Sequence, residues 1–232
     1  MRGTNRSGSR GRLYVQDAYF DQGLRITQLD VVGHDITAVW RTGTGGQRVR
    51  GFMSIDDLTY WNNTYYEQGL RLVDLDRDGD EFFAVWRTGK GDQFVRTAIP
   101  TWTDFKTQDD VLFAQGFRIV DIVIREDNRI GGVWRSDQGS AGQLWNAGVL
   151  ATGADANDES PFQKLNRQRK EAGWELKIMK AHNNDAYRVG VWRYRGGTFT
   201  QDTGNFMTSA SMDGWEQTCR GAGRRIVSLD VT

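Results

Sequence analysis

Cysteine occurs once in the 232 residues, at Cys219, and histidine twice, at His34 and His182. A single thiol excludes an internal disulfide framework and a cysteine-built zinc cluster, and two imidazoles exclude a histidine-rich metal centre. Net charge is missing as well: 30 Lys and Arg balance 30 Asp and Glu, so no global field draws the chain to nucleic acid or acidic lipid. Apolar runs stop at about six residues, far below the roughly 20 that a membrane-spanning helix needs, so membrane insertion is not expected. The opening "MRGTNRSGSRGR" is basic, and no apolar stretch follows it. It predicts a disordered leader over 1–12, not a signal peptide, and leaves secreted and cytoplasmic placements both open. Ser-x-x-Lys, Gly-x-Ser-x-Gly, His-Glu-x-x-His and phosphate-loop patterns are all absent.

What the sequence does hold is aromatic mass and repetition. Nine Trp, eleven Phe and seven Tyr supply much of the burial in a chain only 38% hydrophobic. "QGLRI" at 22–26 returns as "QGLRL" at 68–72 and "QGFRI" at 115–119, with weaker copies "AGWEL" at 172–176 and "AGRRI" at 222–226. The glycines Gly23, Gly69, Gly116, Gly173 and Gly223 lie 46, 47, 57 and 50 residues apart. A second marker, "AVWR" or "GVWR", places Trp40, Trp86, Trp134 and Trp192 17 to 19 residues after the first four glycines. Tandem duplication is the direct reading.

Upstream of each marker glycine runs a helical stripe, such as Leu58, Trp61 and Tyr65 before Gly69. Ser54 with Asp57 and Thr101 with Asp104 are capping signals, and Ser160 precedes a proline at the first helical position. The glycine then ends the helix in the left-handed conformation. A strand such as "LRLVDL", a polar turn, a strand ending Val-Trp-Arg, a Gly-rich link and a third strand follow. The predicted class is α+β: tandem repeats of one helix plus a three-stranded antiparallel meander, sharing a continuous core as an open curved array or a propeller-like form. One repeat domain over 13–232 is expected, with repeats near 13–52, 53–99, 100–150 and 151–207 and a partial copy at 208–232.

With "QGFRIVDI" and "FFAVWR" in place, the repeats resemble the polyglycine hydrolase-like structural repeat, also called the bacterial tandem repeat domain. The match spans about 13–232, and it departs from the pattern in ending the Trp strand with Arg and in carrying Glu175 where other copies have Arg. Such repeats can accompany a serine hydrolase domain similar to β-lactamases. That nucleophile motif is absent, so the resemblance implies an auxiliary or binding module of bacterial type and carries over no activity.

Several residue sets are candidates for chemistry. Asp74, Asp76 and Asp78 alternate ahead of Gly79 in the manner of a calcium loop, but the twelfth position, which should be a bidentate Glu, is Val85. Asp-Gly between two strands favours a hairpin turn, leaving the three acids as a weak metal candidate. The repeated tryptophans, Trp86 among them, are either stacking platforms for sugars or core residues. Alternation puts each with the small residue two positions earlier and favours the core.

The repeated arginines form two series: Arg41, Arg87, Arg135 and Arg193 after the Trp, and Arg25, Arg71, Arg118 and Arg225 two after the glycine. Each either pairs with acids such as Asp74 and Asp121 or presents a fork to an anionic or polar ligand. Trp145 and the cluster "YWNNTYY" add aromatic contact surface.

The leading expectation is a noncatalytic module that binds a glycan or an extended protein segment through repeated Arg and aromatic positions, without a cofactor. A self-assembling or partner-docking scaffold is the second reading. The third is an enzyme whose site lies in the divergent stretch 151–185, with Lys177, Lys180 and His182.

Overall fold

Helices begin where the sequence supplies caps. The computed structural model describes residues 14–33, 35–153, 159–182, 186–201 and 209–223. Ser54 opens α2 (Ile55–Glu67) with a reciprocal capping box to Asp57, and Ser160 opens α4 (Pro161–Glu171) with the same device to Gln163. Thr101 accepts the Asp104 N–H at the start of α3 (Trp102–Ala114). With α1 (Tyr14–Asp21) and α5 (Ser209–Gly221) these make five helices among the described residues. Each is followed within two residues by a marker glycine at positive φ, from +76° at Gly23 to +91° at Gly116. A side chain there would meet its own backbone, so glycine is the residue that ends the helix and redirects the chain.

The fold is α+β, with helices alternating with small antiparallel sheets. From each glycine runs a first strand: β1 (Leu24–Val32), β4 (Leu70–Asp78), β7 (Arg118–Ile124) and β10 (Trp174–His182). A middle strand folds back on each: β2 (Asp35–Thr42), β5 (Glu81–Thr88), β8 (Ile130–Arg135) and β11 (Tyr187–Tyr194). The third strands are β3 (Gln47–Met53), β6 (Gln93–Ile99) and β9 (Gln143–Leu150).

Their partners carry a finding the sequence does not show. β3 leaves the first repeat but pairs with β5 of the second, and β6 likewise pairs with β8, giving the sheet orders β3-β5-β4 and β6-β8-β7. The third sheet is β9-β11-β10, while β1 and β2 form a two-stranded sheet among the described residues. Each Gly-rich link therefore carries the chain from one sheet into the next. Alternation along a strand is the same whichever neighbour it pairs with, so the pattern alone cannot assign the partner.

Every first strand contains a bulge. The register slips between Ile26 and Gln28, Leu72 and Asp74, Ile119 and Asp121, and Leu176 and Ile178. A bulge re-aims the side chain that follows it. In β4 it directs Asp74 toward β1, where its Oδ2 accepts the Leu29 N–H at 2.8 Å, and Asp76 Oδ2 accepts the Val31 N–H at 2.6 Å. One repeat later Asp121 Oδ2 accepts the Leu75 N–H at 2.6 Å. Link glutamines do the same: Gln47 accepts from the Ile26 N–H at 2.8 Å, Gln93 from Leu72 at 2.6 Å, and Gln201 from Leu176 at 3.0 Å. Edge N–H groups of β1 and β4, and the Leu176 N–H of β10, are thus satisfied by side chains, not by another strand. That leaves little edge for a foreign chain to extend.

The described residues divide into two compact units, one up to Ser140 and one from Ala141 onward. In the first, cores lie between repeats. Phe82, Ala84 and Trp86 pack with Leu58, Tyr65, Val123 and Val133, while Phe83 and Val85, on the other face of β5, pack with Ile26, Leu29, Trp40 and Ala38. A strand buried on both faces suits the near-continuous apolar run "FFAVW". In the second unit Phe162, Leu176 and Trp192 form the corresponding core, with Leu165, Trp174 and Met179 against it.

Candidate anion-binding site

The metal candidate is resolved by the clasps just described. Gly79, at φ +57°, and Asp80 make the hairpin turn between β4 and β5, as the Asp-Gly pair predicts. Only Asp78 stands at that turn, however. Asp74 and Asp76 are buried inside β4, their carboxylates committed to β1 N–H groups. Among the described residues no group of three His, Cys, Asp or Glu is arranged to hold a metal ion.

The repeated tryptophans belong to the core. Trp86, Trp134 and Trp192 have no exposed surface, and their indole N–H groups donate to Asn62 Oδ1 at 3.2 Å, Asp109 Oδ1 at 2.9 Å and Asn166 Oδ1 at 2.9 Å. Trp86 therefore offers no ring face to a ligand. The cluster on α2 is also closed on itself. The Arg50 guanidinium lies 3.3 Å from the Trp61 ring centroid, and Tyr65 stacks on that ring at 5.4 Å between centroids. Tyr60, highly exposed, packs edge-on against Trp61 at 5.0 Å. Trp145, half-buried in β9, stands opposite Val191.

The arginines that follow the marker glycines act as clips. Arg25 Nε donates to Gly45 O at 2.9 Å, and its Nη1 donates to Phe20 O and Leu24 O at 3.0 and 2.8 Å. Arg71 repeats the set with Gly91 O, Tyr66 O and Leu70 O at 2.7, 3.1 and 2.9 Å. Arg118 donates to Phe113 O, Phe117 O and Ser140 O at 3.3, 2.7 and 3.3 Å. Each guanidinium also covers an aromatic ring at the helix end: Phe20, Tyr66 and Phe113, at 3.5, 3.8 and 3.8 Å. A cation here complements the negative helix C-terminus and ties it to the Gly-rich link. Among the described residues Arg25 and Arg71 thus bond to carbonyls and to no acid, against the expected arginine–acid pairing. Arg225 lies outside the described residues.

The arginines that follow each Trp stand directly across the sheet from these clips. Arg41 is opposite Arg25, Arg87 opposite Arg71, and Arg135 opposite Arg118. Cross-strand neighbours share a face, so the first compact unit carries six guanidiniums at one level of its sheets. In the second unit, taken by itself, the corresponding cross-strand pair is mixed in charge: Arg193 stands opposite Glu175, which bridges Lys177 at 2.8 Å and approaches Arg195 at 3.7 Å. Lys180 of the divergent repeat is buried in β10, and the side chain of His182 lies outside the described residues, as does His34.

Within the row Arg87 is different. Arg135 is closed by an ion pair with Asp137, two residues on, whose other oxygen accepts from Gln138 Nε2 at 2.9 Å. The residue two after Arg87 is Gly89, and among the described residues Arg87 makes no hydrogen bond or ion pair. Its guanidinium leans toward the preceding sheet, where a Cβ on Gly43 would stand 2.9 Å from Nη2 of Arg87 and 3.1 Å from Cγ of Arg25. Arg135 leans the same way: a Cβ on Gly89 would stand 2.9 Å from its Nη2 and 2.9 Å from Cγ of Arg71. Burial lowers the Arg87 pKa, and the positive charges of Arg25 and Arg135 lower it further, with no acid acting in the opposite direction. The result is a half-buried cation among cations, beside the link residue Gly43. Such a group is chemically suited to an oxyanion.

The sequence holds a signal for this site that the repeat markers alone do not give. The residue two after each Trp-Arg pair runs Gly43, Gly89, Asp137, Arg195, and only Asp137 neutralises its arginine. The indole acceptors Asn62, Asp109 and Asn166 and the clasping glutamines are likewise readable only once the copies are aligned on the structure. No protein-family model and no curated protein sequence matches the chain.

Proposed function

We propose that the chain is a noncatalytic repeat module that binds an extended, acidic peptide segment along the arginine row of its first compact unit. The observation that carries this reading is Arg87, a guanidinium without a counter-ion set between Arg25 and Arg135. The glycan alternative has less support, because Trp86 is buried and the Trp61 ring is covered by Arg50 and Tyr65. Sealed strand edges speak against addition of a foreign strand to β1 or β4, and so favour recognition by side chains over a sheet-forming scaffold. The resemblance to the polyglycine hydrolase-like structural repeat is proposed on the same footing. Its helix, "QGFRIVDI" and "FFAVWR" markers fall on a helix, a bulged first strand and a buried middle strand, in a repeated sheet-and-helix architecture that is compatible with a propeller.

Calorimetric titration of the intact chain with a library of acidic, neutral and basic peptides tests the proposal. Binding confined to acidic peptides, weakening as salt rises, is the expected result. Equal binding of neutral and acidic members, or none by any, would remove it.

A further inference from the structure

The pair made by Arg135 and Asp137 indicates what Arg87 lacks. Both arginines occupy the same place in their sheets, opposite Arg71 and Arg118 on one side and Gln47 and Gln93 on the other. Both lean across a glycine onto the stem of an arginine in the preceding repeat. At Arg135 a carboxylate reaches the guanidinium from the turn Ser136-Asp137-Gln138, and a side-chain amide holds its second oxygen at 2.9 Å. At Arg87 the chain offers Gly89, so the position filled by Asp137 in the next repeat has no occupant of its own.

We infer that Arg87, with the Gly43 surface and the Arg25 stem beside it, is a receptor for one side-chain carboxylate of an extended peptide. On this view Asp137 is a built-in stand-in that closes the neighbouring receptor. The inference rests on the peptide-binding reading and narrows it to a single anchoring contact and its chemistry. Carboxylate is favoured over phosphate or sulfate because the chain itself fills the equivalent place with an aspartate on a loop. A fork of parallel N–H donors also matches a planar two-oxygen acceptor. Asp137 then sets the number of open receptors: replacing it with the glycine found at position 89 should leave Arg135 as open to ligand as Arg87.

The test uses the intact chain and a soluble probe, an acetylated and amidated peptide of four Ser-Asp-Gln-Gly blocks, beside the same peptide with Asn for Asp. Wild type is expected to bind the Asp probe and not the Asn probe. Arg87→Gln should weaken binding about tenfold or more, the usual scale for losing one charge-assisted hydrogen bond. Asp137→Gly should strengthen it several-fold and shift the stoichiometry or avidity upward. Circular dichroism and tryptophan emission, to which buried Trp86, Trp134 and Trp192 contribute, report whether each variant is folded. Equal binding of the Asn probe would overturn the carboxylate receptor while leaving peptide binding in place. An Asp probe insensitive to Arg87→Gln, in a folded variant, would overturn the assignment to Arg87 alone. Binding of neither probe, whether or not dextran sulfate or inorganic phosphate binds instead, would overturn the receptor outright.

Discussion

Asp74 Oδ2 accepts the backbone N–H of Leu29 at 2.8 Å across 45 residues of chain, at a site where both partners are buried. The bond is a sheet-to-sheet fastening of the first compact unit, and its sign under mutation follows from desolvation. Asp74→Leu leaves a buried N–H without an acceptor and should cost about 1–3 kcal/mol, whereas Asp74→Asn keeps an acceptor oxygen and should cost less. Urea unfolding of the two variants against wild type measures the difference. Calcium added to wild type should not move the midpoint, since Asp74 and Asp76 are already engaged.

Asp109 occupies the helical position filled by Asn62 and Asn166 in the sister repeats, and all three accept an indole N–H. Asp109→Asn should therefore fold with near-native stability, while Asp109→Leu should lose about 1–3 kcal/mol by orphaning the Trp134 N–H. Thermal melts followed by tryptophan emission separate the two outcomes.

Arg87→Gln should raise the melting temperature even as it weakens ligand binding. The wild-type guanidinium is partly desolvated and repelled by Arg25 and Arg135, with no acid to offset it. A stability loss in this variant would mean that Arg87 has a structural partner. Calorimetric scans at low and at high salt measure the effect, and salt should shrink it by screening the repulsion.

The Asp137 carboxyl carries a pH signature. Burial pushes its pKa up, but the hydrogen bonds from Gln138 and Arg135 and the charge of Arg135 outweigh it and hold it below the ordinary value. A depressed folded pKa contributes stability that is present above the unfolded value of about 3.9 and lost as pH falls through the lower, folded value. The stability gap between wild type and Asp137→Asn should be full near neutral pH and close only in that acid window. Unfolding midpoints measured from neutral pH down through the carboxylate range trace it.

Gly116, at φ +91°, ends α3. Gly116→Ala should cost about 1 kcal/mol from left-handed strain alone, because no neighbour lies within 4 Å of the added methyl. Guanidinium unfolding of the full chain measures it.

Much of this architecture was legible before the structure. Helix caps at Ser54, Thr101 and Ser160, the terminating glycines, the hairpin turn at Gly79 and the Trp-bearing core face of β5 follow from local rules acting within a few residues. The pairing of β3 with β5 was not legible, because no local pattern distinguishes that partner from β2. The roles of Asp74 and Asp121 were hidden for a related reason: a bulge reverses which way a side chain points, and nothing in "LVDL" or "IVDI" announces one. Arginine series that looked equivalent in the sequence separated only when their partners became visible: carbonyls for Arg25 and Arg71, Asp137 for Arg135, and none among the described residues for Arg87.

The crossing of each third strand into the next sheet decides where the coding sequence can be cut. A deletion that starts at the Ser54 helix cap would remove β5 yet keep β3, leaving a strand whose hydrogen-bonding partner is gone. Excising 43–88 instead removes β3, α2, β4 and β5 together, a whole sheet with its helix, and rejoins Thr42 to Gly89. The smallest exchangeable module in this chain is therefore bounded by its glycine links, half a repeat out of phase with the helices that make it visible.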